Sequence, residues 1–141
     1  MKTAIIIKGN PELIVGNPLA EEFYNKLKFF LEKLGYAVSF DPGEPYTTPA
    51  AADLWIGHSR GADRLRFAPP GTVTIGIGVP ETEEPPTFAI INHPDDTVAK
   101  RRYQGGKLAA NDATDDSHHY TLTEAMKRAL AQAIKNGQSK D

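Results

Sequence analysis

The stretch Asp53-Leu54-Trp55-Ile56-Gly57-His58-Ser59-Arg60-Gly61-Ala62 sets a short apolar run directly against a turn held between two glycines. A continuous apolar run of this length, closed by turn residues, has the pattern of a strand buried on both faces of a sheet. We therefore read Asp53 to Gly57 as a strand that runs straight into a tight turn at Ser59. Arg60 to Phe67 has room for only about two helical turns, and Pro69-Pro70-Gly71 then stops it.

Working outward, Ala4 to Ile7 is another continuous β-branched run, ended by Lys8-Gly9-Asn10, and Tyr36 to Phe40 follows as a further strand. Between them Leu19, Phe23, Leu27, Phe30, Leu31 and Leu34 recur in steps of three and four, which predicts an amphipathic helix. Asn17-Pro18 starts that helix and Gly35 stops it. The loop Asp41 to Ala52 carries Pro42, Gly43, Pro45 and Pro49. Val73 to Val79 and Thr87 to Asn92 complete a sheet of about five strands. The last element is a helix, with capping-box spacing at Thr121-Leu122-Thr123-Glu124 and an apolar stripe of Met126, Leu130, Ala133 and Ile134. Strands alternating with helices predict one three-layer α/β domain over residues 1–141, with a mainly parallel sheet. Only Pro80 to Pro86 separates the last two strands, whereas a parallel crossover usually takes about a dozen residues. Their relative direction, and hence a mixed sheet, stays open at this level.

Composition narrows the function. The chain has 141 residues, 40% hydrophobic and 24% charged, with a net charge of -2. That balance implies no strong attraction to nucleic acid or to an anionic membrane. Lys100-Arg101-Arg102 reads as a solvated surface run. Cysteine is absent, which removes disulfides, thiolate zinc sites and cysteine nucleophiles together. Lys8 interrupts the first apolar run before it reaches secretory length, and no later run is long enough to span a bilayer. The expectation is a soluble, cytoplasmic protein with a small-molecule substrate, no cofactor and no metal. Oligomeric state is not specified.

The turn itself points to chemistry. A serine hydroxyl needs a base to become a nucleophile, and it must stand clear of the backbone so that base and substrate approach from different sides. A strand-to-helix turn with glycine two residues before and after the serine meets that need, and Gly57 and Gly61 occupy those positions. Ser59 is accordingly the candidate nucleophile. The base would come from His118 or His119, before the final helix, and the acid from Asp95 or Asp96, after the Phe88 to Asn92 strand. The oxyanion donors would be the Arg60 backbone N–H and an amide from the loop after the first strand, where Gly9, Asn10 and Glu12 are available. Arg60, Arg64 and Arg66 either favour an anionic substrate or are solvating surface charges.

These pieces together resemble the small single-domain α/β-hydrolases of the retinoblastoma-binding-protein family and its bacterial relatives. The likeness rests on Ile6-Ile7-Lys8-Gly9-Asn10, Ile56 to Ala62, Asp95-Asp96-Thr97, and Asp116-Ser117-His118-His119-Tyr120 with Thr123-Glu124 following. The resemblance implies a minimal α/β-hydrolase fold without a lid, with Ser59 as nucleophile and His119 as base. It implies Asp96 as the acid, while the wider superfamily's spacing to Val98 favours Asp95. The chain is shorter than the family's usual length. A competing expectation is a non-catalytic binding module on a reduced form of the same fold. A metal site from His93, Asp95, Asp96, His118 and His119 lacks recognised ligand spacing.

Overall fold

The structure, a computed structural model, describes residues 2–9, 18–42, 48–78, 87–91 and 120–138. Its elements are β1 (Lys2–Ile7), α1 (Pro18–Lys33), β2 (Tyr36–Asp41), β3 (Leu54–His58), a 3-10 helix (Ser59–Phe67), β4 (Val73–Ile77), β5 (Ala89–Ile91) and α2 (Glu124–Gln138). The five strands form one sheet in the order β2-β1-β3-β4-β5, and every neighbouring pair is parallel.

The question left open by the sequence is thereby answered. Ile75 pairs with Ala89 and Ile77 with Ile91 in parallel register. Short polar side chains fasten the approach to β5. The Thr87 hydroxyl donates to the Thr74 carbonyl at 2.8 Å, and the Phe88 N–H reaches both that carbonyl and the Thr74 hydroxyl at 3.1 Å.

Alternation along the strands sorts the core into two clusters. Ala4, Ile6, Leu54, Ile56, Ile75 and Ile77 face α1 and α2, meeting Phe23, Leu27, Leu31, Met126, Leu130 and Ile134. On the opposite face Ile5, Ile7 and Trp55 meet Ala62 and Leu65 of the 3-10 helix. Helical structure on both faces explains why β3 is buried at every position and why its sequence is continuously apolar rather than alternating. Trp55, wholly buried, satisfies its indole by donating to the Ala50 carbonyl at 3.1 Å.

Two local expectations shift. The cap of α2 is Thr123, not Thr121: its hydroxyl accepts the Met126 N–H at 3.1 Å, the usual cap-to-third-residue bond. The segment after Ser59 forms a 3-10 helix, the tighter form favoured in short connectors. Among the described residues no helix is long and apolar enough to cross a membrane.

Candidate functional site

In this strand order the chain leaves β1 toward β2 on one side of the sheet and leaves β3 toward β4 on the other. The carboxyl ends of β1 and β3 therefore flank the switch point, the place where open parallel sheets bind their ligands. Gly9 follows β1 there and Ser59 follows β3. A Cβ placed on Gly9 would lie 3.7 Å from the Ser59 Cβ, so the two segments touch.

Ser59 is the one non-glycine residue with a positive φ, 53°, among the described residues. That left-handed backbone costs an ordinary residue about 1 kcal/mol and is held here by its surroundings. A Cβ on Gly57 would come within 2.6 Å of the Ala62 Cα, and one on Gly61 within 2.5 Å of the Lys8 carbonyl oxygen. Both contacts are with backbone, which has little freedom to move aside. The glycines two before and two after Ser59 thus let β3, the 3-10 helix and the β1 loop close around it.

His58 points to the α1 side, as the pleat requires for a residue in phase with Leu54 and Ile56. It is 2% exposed. Its ring lies 4.7 Å from Phe23, 5.4 Å from Tyr24 and 5.7 Å from Tyr120, centroid to centroid. The Tyr24 hydroxyl accepts the Gly9 N–H at 3.0 Å and sits 2.9 Å from His58 Nδ1. Burial holds the Tyr24 phenol well above the ordinary tyrosine range, with the Gly9 hydrogen bond opposing. Lys8 extends its ammonium over the neighbouring aromatics, 4.6 Å from the Phe40 centroid and 5.4 Å from that of Tyr24.

The arginines separate. Arg64 is 7% exposed and meets Asp41 at 3.5 Å, tying the 3-10 helix to the end of β2. Arg66 pairs with Asp63 on the surface. Arg64 is therefore not a solvating surface charge: it is buried against Asp41. A groove of about 500 Å3 lined by Pro18, Glu22, Lys26 and Phe29 opens on the outer side of α1, opposite the face that meets His58.

Of the residues singled out from sequence, Ser59 stands at the switch point and Arg60 follows it as the second residue of the 3-10 helix. Asn10, Asp95, Asp96, His118 and His119 lie outside the described residues, as do Glu12 and His93. Gly9 leaves the group of oxyanion donors, because its N–H is committed to Tyr24. Tyr24 itself was not singled out. Its signal was present, since Ala20, Phe23, Tyr24, Leu27 and Leu31 share one buried helical face. Comparison with protein families, curated proteins and solved structures finds no match to this chain.

Proposed function

We propose that the chain is a small serine hydrolase of the α/β-hydrolase type, resembling the retinoblastoma-binding-protein family, that cleaves an ester, thioester or amide through a Ser59 acyl-enzyme. One observation carries the reading. Ser59 holds a left-handed φ of 53° at the end of a buried parallel strand, between glycines whose positions leave no space for a side chain. A serine kept in such a backbone without function would be relaxed by substitution, so the strain argues for a demand on its hydroxyl.

In this mechanism Ser59 Oγ attacks the substrate carbonyl carbon while His119 takes its proton. The negative charge that develops on the carbonyl oxygen is met by the Arg60 N–H, at the start of the 3-10 helix, and by the Asn10 N–H. His119 returns the proton to the leaving group, and water then releases the acyl group by the same route. Asp96, or Asp95 beside it, orients the imidazole. Two features support these roles. Tyr120, the residue that follows His119 in the sequence, packs against His58 beside Ser59. The Asp pair follows Ile91, which ends β5 at the same edge of the sheet as Ser59.

Turnover of short-chain aryl esters tests the assignment. Ser59→Ala and His119→Ala should each lower turnover by about 10⁴-fold or more. Loss of about 10⁴-fold in one of Asp96→Asn and Asp95→Asn, and not the other, identifies the acid. Esterase activity of Ser59→Ala close to the wild-type rate would overturn the proposal.

A further inference from the structure

We propose that Tyr24 is a positioning residue of this site: its hydroxyl ties the Gly9 amide to the His58 ring and so holds the loop after β1 in register with Ser59. The proposal rests on the Ser59 reading for its catalytic consequence, but the tie itself is a separate claim.

The hydrogen-bond roles follow from counting protons. The Gly9 N–H points its hydrogen at the Tyr24 oxygen, which leaves the phenol's own proton available to a second partner. Among the described residues His58 Nδ1, 2.9 Å away, is the acceptor in reach. Nδ1 is then unprotonated and the neutral ring carries its proton on Nε2. Burial supports this by keeping the phenol in its protonated, donating form. Phe23 and Tyr120 pack against the same ring and restrict its rotation.

The tie joins three elements at one atom. Tyr24 belongs to α1, Gly9 follows β1, and His58 is the last residue of β3. His58 is bonded to Ser59, and Gly9 to Asn10, whose amide is the second oxyanion donor in the proposed mechanism. Holding Gly9 and His58 at a fixed separation therefore fixes where the loop after β1 begins relative to Ser59. Misplacement of such a donor by a fraction of an ångström lowers the rate of attack rather than the affinity for substrate.

The test combines a spectroscopic signature with a rate. In the wild-type protein at neutral pH, 15N NMR should show His58 with an unprotonated Nδ1 and a protonated Nε2. In Tyr24→Phe that signature should be lost. Inactivation of the same variant by a fluorophosphonate should show a maximal rate lowered roughly tenfold with the half-saturating concentration unchanged. A His58 proton found on Nδ1 in the wild type overturns the proposal, and this measurement decides even if Tyr24→Phe fails to fold. A folded Tyr24→Phe that is inactivated at the wild-type rate also overturns it. A wild type with the expected tautomer that takes no label at all overturns the Ser59 reading, and the catalytic part of this proposal with it.

Discussion

Ser59 concentrates several costs in one residue. Its φ of 53° is unfavourable for any side chain, and glycine is the substitution that removes the penalty. Ser59→Gly should therefore raise stability by about 1 kcal/mol in urea denaturation while abolishing esterase turnover. An unchanged or lower stability would argue against strain at this position. The flanking glycines should respond in the opposite sense. Gly57→Ala and Gly61→Ala each drive a methyl into backbone at 2.6 and 2.5 Å, which should destabilise by about 2–3 kcal/mol each. Denaturation midpoints within error of wild type would show that the turn can open. The turn was legible in sequence because Gly-His-Ser-Arg-Gly is a local pattern. The Tyr24 contact was not, since it joins residues 15 and 34 positions apart.

At the scale of elements, the Arg64–Asp41 contact joins the 3-10 helix to β2 with side chains 8% and 14% exposed. Removing the guanidinium deprives the Asp41 carboxylate of a buried partner, so Arg64→Ala should cost about 2 kcal/mol. Arg64→Met combined with Asp41→Leu should recover part of that loss, because the two charges of the pair are then removed together. A double variant as unstable as Arg64→Ala would place the loss in packing instead. Periodicity located β1, α1, β2, β3 and α2 within a few residues. It was less reliable about faces near helix ends: Leu19 and Leu34 fit the apolar stripe of α1 yet are 44% and 43% exposed. Both sit at the helix ends, Leu19 as the second residue of α1 and Leu34 one residue past Lys33, where fewer neighbouring elements cover a side chain. The cap of α2 moved from Thr121 to Thr123 for a related reason, since both threonines offer an oxygen and only the true start of the helix decides which is used.

For the whole molecule, the strand order brings Gly9 and Ser59 together at the switch point. Strand types could be read from composition, but the parallel pairing of β4 with β5 could not, because it depends on the path between them. The buried phenol at this junction also affects global stability. Tyr24 is held above its ordinary value of 10.0 by burial, and Tyr36 more weakly for the same reason. The unfolded chain therefore releases these protons first as pH rises, and the folded state binds more of them. By linkage, this contribution is intact below about pH 10 and falls by about 1.4 kcal/mol per pH unit above it for Tyr24. Tyr24→Phe should lose about 1–2 kcal/mol at neutral pH but show a shallower decline in alkali. Equal slopes for the two proteins in urea titrations between about pH 9.5 and 11 would contradict a buried, protonated phenol.

Covalent trapping reads out the proposed Ser59 nucleophile at that junction without any assumption about the substrate. A fluorophosphonate should add to the folded wild-type protein, peptide mapping by mass spectrometry should place the adduct on Ser59, and Ser59→Ala should take none. Absence of an adduct on the wild type, or equal labelling of Ser59→Ala, would contradict it.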